Sequence, residues 1–308
     1  MRTQGDAATT RGALAIAGVR LTHPGRILYP DLGFTKLDLA RFYEAVAERL
    51  LPHVAGRPLS LVRCPTGLGS CFYVKHAAIA GAPGLRRIPI REKSATREYL
   101  VVDSLAGLVA LAQMSILEIH TWNCTADELE RPDRVVIDLD PGPQVAWPRV
   151  LAGAKRVRDG FAALDLRSFV KATGGKGLHV VVPFTPELDW AACLALARSV
   201  AAAIVRQEPD TYTTVMSKRG REKKILLDYY RNQRGATAIA AFSPRARPGA
   251  PVAVPLAWHE LSPRRRADHF TVANLSARLA RLRRDPWREY WTVRQRLGAK
   301  ALAAAGGR

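Results

Sequence analysis

Acidic residues are scarce in this chain. Asp and Glu number 27 against 47 Lys and Arg over 308 residues, a formal net charge of +20. Such an excess destabilises a compact fold by self-repulsion unless a polyanion or counterions offset it. Nucleic acid is the first candidate partner, an anionic membrane surface the second and a merely solvated basic coat the third. Long apolar runs are also lacking. None approaches the roughly 18 residues of a membrane span, and the apolar stretch at residues 13–19 is broken by Gly18, too short for a signal-peptide core. Cysteine is sparse: Cys64, Cys71, Cys124 and Cys193 form no C-x-x-C pair and no close set with histidine. That argues against a zinc site. Four scattered thiols suit a reducing cytosol better than a disulfide framework. What is plentiful is ordinary: 48% hydrophobic residues, enough for a packed core and too many for a disordered chain.

Residues 1–12 and 299–308 read as flexible tails, leaving a single domain over 13–298. Its C-terminal segment, from about residue 263, reads as basic and helical. Apolar spacing predicts helices over residues 36–50, started by Thr35 and stopped by Pro52, and over 104–119, 147–164 and 189–206. Residues 134–140, 168–171, 179–183 and 224–229 read as strands. Strands and helices mix without regular βαβ alternation, so the fold class expected is mixed α/β or α+β.

The sharpest motif ends the 134–140 strand. Side chains alternate along a strand, so Asp138 and Asp140 share a face. Two such carboxylates repel unless a cation sits between them, and hard oxygen donors suit magnesium or manganese. The same pair can also simply cap the turn at Pro141. Asp228 ends another apolar run amid Lys218, Arg219, Arg221, Lys223, Lys224, Arg231 and Arg234. It is either a salt-bridge partner or a third metal ligand. Residues 173–179 hold three glycines with Thr173, Lys176 and His179. This is not the G-x-x-x-x-G-K-[ST] phosphate loop, yet its N–H groups can converge on an anion; the alternative is a plain β-turn. His120 falls at the end of the predicted 104–119 helix, where it either complements the dipole or reaches a nucleotide sugar. Phe72 and Tyr73, amid cations, fit base stacking or an ordinary strand.

In combination these residues resemble the polymerase domain of bacterial DNA ligase D, within the archaeo-eukaryotic primase superfamily. The resemblance covers residues 18–261 and rests on segments 21–30, 56–60, 71–73, 117–122, 138–142, 173–179, 227–229 and 243–252, in that order. It implies a primase-like core of mixed or antiparallel sheets flanked by helices. Asp138 and Asp140 would bridge two divalent metal ions (Mn2+ or Mg2+), with Asp228 on the catalytic one. Thr173, Lys176, His179 and Arg245 would hold the incoming triphosphate, His120 the ribose 2′-hydroxyl, and Phe72 would pack on the nucleotide. Arg26 and Lys36 would receive a DNA 5′-phosphate. The implied activity is template-directed nucleotidyl transfer with ribonucleotides preferred, at DNA gaps, breaks or overhangs in non-homologous end joining. A Ku-type end-binding protein and a DNA ligase would be partners, in the cytoplasm at the nucleoid. De novo priming and non-catalytic nucleic-acid binding are the other readings. Hydrolysis by paired carboxylates leaves the glycine loop and the basic charge without a role.

Overall fold

The computed structural model describes residues 14–77 and 83–306; the predicted 1–12 tail lies outside them. Two sheets and the cleft between them organise the chain. The larger has six strands in the order Tyr212–Thr213, Ile225–Asp228, Arg134–Pro141, Leu178–Pro183, Phe169–Ala172, Val254–Leu256. All neighbours are antiparallel except the first pair, which is parallel. The smaller is antiparallel: Ala238–Ile239, Ile116–Thr121, Leu59–Arg63, Phe72–Val74. This is the mixed, largely antiparallel architecture the sequence predicts.

The central strand sets the layers. Val135, Ile137 and Leu139 are fully buried and face the helices Trp147–Ala162 and Trp190–Gln207. Gly153 lets the first of these helices approach closely, since a Cβ there would sit 3.1 Å from Leu139. Alternation sends Arg134, Val136, Asp138 and Asp140 to the opposite face, toward the small sheet. Arg134 ties the two sheets together, donating to the Thr121 hydroxyl, the Asn123 side chain and the Trp122 carbonyl. The carboxylates thus end up in the cleft rather than under the helices.

Several local expectations need correction. The helix expected to stop before Pro52 runs Lys36–Val54. Its last turn tolerates Pro52 because the ring is exposed and only the carbonyl of Glu48, also exposed, loses its partner. Its start is as expected, a capping box in which Thr35 accepts from the Asp38 N–H and Asp38 accepts from the Thr35 N–H. The helix expected over 104–119 covers only Leu105–Gln113. Ser115 then turns the chain at φ +58°, and Ile116–Thr121 is a strand of the small sheet, so His120 has no helix dipole to complement. The C-terminal segment, expected to be basic and helical, is helical only in short pieces. It holds the short helices Leu275–Arg281 and Ala299–Ala304 and a single turn at Arg288–Tyr290. Trp287 and Tyr290 wedge against Val136, Phe169 and Val181. Residues 299–304, expected in a tail, pack down with Ala301 buried. Finally, Cys64 and Cys71 form a disulfide; seven residues apart across a turn, they close a small loop that the scattered-thiol reading passed over. Cys124 and Cys193 are free and buried. Among the described residues no helix is long and apolar enough to cross a membrane.

Candidate active site

A cleft of about 740 Å³ opens between the sheets, lined by His120, Asp138, Asp140, Thr173, Lys176, His179, Asp228 and Arg245 among others. Eight of the eleven predicted site residues therefore converge. Register explains why. Asp138 pairs directly with Asp228 on one side and with His179 on the other, and His179 pairs with Lys171. Cross-strand partners share a face, so Lys171, His179, Asp138 and Asp228 form one row of ionisable groups across four strands.

The carboxylates are held apart by arginine. Arg231 Nε lies 2.9 Å from Asp228 and 3.5 Å from Asp138, and Arg221 donates to Asp140 at 3.0 Å. His179 Nε2 is 3.5 Å from Asp138, while its Nδ1 is buried without a partner. Burial pushes Asp138 up, but His179, Arg231 and Arg245 outweigh it and bring its carboxyl down to about 2. Asp228 goes the other way: burial, with repulsion from Asp138 and Asp140, raises it above the usual carboxylate range despite Arg231. As they stand, no three His, Cys, Asp or Glu side chains among the described residues are grouped closely enough to hold a metal ion. The guanidinium of Arg231 fills the gap that a cation between Asp138 and Asp228 would need. The donor set itself, three carboxylates on adjacent strands of one face, is that of a hard divalent ion.

Beside the carboxylates, on the same sheet, lies the glycine loop. Thr173 is buried, and its hydroxyl donates to the Gly177 carbonyl and accepts from the Gly175 N–H. Lys176 is exposed on the cleft. A Cβ at Gly177 would overlap the Leu139 carbonyl, and one at Gly142 the carbonyls of Arg221 and Glu222, so backbone packs on backbone here. Arg245 donates to the Thr173 carbonyl at 2.8 Å and ion-pairs with Glu118 at 3.0 Å. Glu118 in turn accepts from His120 Nε2 at 2.8 Å.

Three predicted residues lie outside the cleft. Phe72 is 48% exposed and does not line it. Its neighbour Tyr73 is also exposed, at 53%, and does not line the cleft, but it meets the His120 ring edge-on at 6.1 Å and pairs its hydroxyl with Thr237. Lys36 is buried, donating to the carbonyls of Thr22 and Gln113. Arg26 donates to the Pro65 carbonyl, and Arg63 to that of Met114. Burial, with repulsion from Arg26 and Arg63, lowers the Lys36 amine to about 8. These three cations form a cluster bonded to carbonyls, with no carboxylate partner among the described residues. The sequence reading missed Glu118, Lys171 and the pairing roles of Arg221 and Arg231; it noted Tyr73 only alongside Phe72, as fitting base stacking. Two carried a signal: Glu118 stands two before His120, hence on its face once the segment is a strand, and Arg231 stands three after Asp228.

A family model described as "LigD, primase-polymerase domain" matches residues 35–287. The chain belongs to this family. The multifunctional non-homologous end joining protein LigD of Pseudomonas aeruginosa is 39% identical over 287 residues, which is 92% of this chain and 34% of that protein. Its counterpart in Mycolicibacterium smegmatis is 35% identical over 247 residues, 79% of this chain and 32% of that protein. The chain thus spans about a third of the length of the curated LigD relatives it matches. Among solved structures, the polymerase domain from Mycobacterium tuberculosis ligase D in complex with DNA aligns with a TM-score of 0.80 and 33% identity, covering 85% of this chain and 94% of that one. The family and the primase-polymerase fold expected from the sequence are both borne out.

Proposed function

We propose that this LigD-family domain is a template-directed nucleotidyltransferase that fills gaps and extends ends at DNA double-strand breaks during non-homologous end joining. One observation carries the reading: Asp138, Asp140 and Asp228 share one face of the large sheet, beside a glycine loop whose exposed Lys176 lines the same cleft with Arg245. The 3′-hydroxyl oxygen of a primer attacks the α-phosphorus of a bound nucleoside triphosphate. The bond to the β-phosphate oxygen breaks, pyrophosphate leaves and the hydroxyl proton passes to solvent. Asp138, Asp140 and Asp228 would hold two divalent ions, Mn2+ or Mg2+, in place of their present contacts with Arg231 and Arg221; bound there, the ions would supply activation of the hydroxyl and neutralisation of the leaving group.

The chain's own side chains bind and orient. Lys176 and Arg245 pair with the triphosphate oxygens. Thr173 braces the loop that presents them, and the unpartnered Nδ1 of His179 finds its partner in the bound nucleotide. His120 meets the ribose 2′-hydroxyl, which gives the preference for ribonucleotides. Tyr73 takes the packing role that the resemblance assigned to Phe72. The carbonyl-bonded cluster of Lys36, Arg26 and Arg63 supports a 5′-phosphate site, since an anion there meets three cations and no competing carboxylate. The reading places the chain in the cytoplasm with a DNA ligase and a Ku-type end-binding protein as partners.

Extension on a 5′-phosphorylated gapped duplex with manganese tests this reading. Wild type is expected to add ribonucleotides faster than deoxyribonucleotides, and Asp138→Ala and Asp228→Ala to bind the duplex without extending it. Extension by either variant at near the wild-type rate would overturn the assignment.

A further inference from the structure

We propose that Glu118 is a positioning residue that locks the ring of His120 and the guanidinium of Arg245 together, coupling recognition of the sugar to the grip on the triphosphate. The sugar half of this rests on the ribose reading of His120 given above.

Glu118 is only 6% exposed, so every bond it makes is made inside the protein. Strand alternation places it on the same face as His120. One carboxylate oxygen accepts from His120 Nε2 at 2.8 Å. The other accepts the Ala246 N–H at 2.8 Å and lies 3.0 Å from Arg245 Nε. The surroundings outweigh the cost of burial and hold its carboxyl at about 2, so at neutral pH Glu118 is an acceptor only. A pure acceptor requires the proton on Nε2. Burial also keeps the imidazole neutral by lowering its pKa, so Nδ1 is left as a lone-pair acceptor. His120 lines the cleft, and among the described residues only its Nε2 is hydrogen-bonded. A ribose 2′-hydroxyl can donate to that nitrogen and a 2′-deoxyribose has none to offer, and a site built to bond a hydroxyl discriminates against the analogue lacking it. Arg245 reaches from the same carboxylate to the Thr173 carbonyl of the glycine loop. Removing Glu118 therefore frees two nucleotide contacts at once, although Glu118 itself touches no substrate.

Two readouts test the lock. In steady-state extension, His120→Ala is expected to lower the ribo-to-deoxy ratio of kcat/KM, and Arg245→Ala to raise the nucleotide KM. Glu118→Ala is expected to do both, each by roughly tenfold, and Glu118→Ala/His120→Ala to lose no more selectivity than His120→Ala alone. Glu118→Gln keeps the shape should the alanine variant fail to fold. Its single carbonyl oxygen cannot serve both sides, so at least one of the two effects must persist. Nitrogen-15 NMR of the His120 ring is the second readout, with Nε2 protonated in wild type and the tautomers mixed in Glu118→Gln. If the glutamine variant keeps both wild-type parameters, or wild type carries its proton on Nδ1, the proposal fails. If His120→Ala leaves the ratio unchanged, the ribose reading falls instead, and the ring spectra and the KM shift still decide whether Glu118 holds its two partners.

Discussion

Across one cleft the protein builds carboxylate–cation contacts in two ways. On the small sheet, Glu118 has a backbone N–H, an imidazole and a guanidinium to itself. On the large sheet, Asp138 and Asp228 share one guanidinium, and the half-open Asp140 has a single arginine. The carboxyl pKa values divide within the large sheet: Asp138, which also has His179 beside it, is held low like Glu118, whereas Asp228 is raised. A buried network completed from within is a fixture that orients its neighbours. A network short of positive charge is held ready for a cation from outside, and the fold tolerates its strain at the functional site.

The largest effect should come from neutralising the under-provided side. Asp228→Asn is expected to cut primer extension by about three orders of magnitude or more while raising the urea midpoint of the metal-free protein. Its buried charge is what the surroundings disfavour. A fall in both would erase the contrast. Glu118→Ala should do the opposite to stability, losing about 3 kcal/mol on urea unfolding because Arg245 and His120 lose a buried partner. A loss under about 1 kcal/mol, the scale of an exposed pair, would count against the fixture. Tyr73→Ala should raise the nucleotide KM about tenfold, the scale of one aromatic stacking contact, and Phe72→Ala should leave it nearly unchanged; the reverse order would return the role to Phe72.

Acid titration gives the finest test. Glu118 has a depressed folded pKa, so its stabilisation is complete above about 4.5 and is lost as pH falls toward 2. Asp228 has a raised one, so its penalty disappears as pH falls through its folded value. Urea midpoints between about pH 6 and pH 2 should therefore fall less steeply in Glu118→Gln and more steeply in Asp228→Asn than in wild type.

Much of this site was legible because strand alternation is local. Asp138 and Asp140 had to share a face wherever the strand lay, and the glycine spacing of 173–177 had to make a turn. What required the structure was pairing. Nothing in residues 225–228 says that Asp228 lies opposite Asp138, or that Glu118 reaches Arg245, 127 positions later. The misplaced helix end at His120 has a plain cause: the apolar run from Leu105 through Ile119 fits a helical period, and the break is a serine in a left-handed turn, which carries no strong signal. The Cys64–Cys71 bridge was missed for the same reason, since it depends on a turn bringing two thiols together rather than on a motif.

The backbone contacts at Gly142 and Gly177 also bear on how such a domain can change through descent. A substitution at either must push carbonyls of neighbouring segments aside, so there is no small step away from glycine. Lys176, one residue from Gly177, is exposed on the cleft and can be replaced freely as far as packing is concerned. Drift in the loop is thereby channelled onto its one projecting side chain. A lineage can retune charge toward the nucleotide without a route by which the loop's shape erodes.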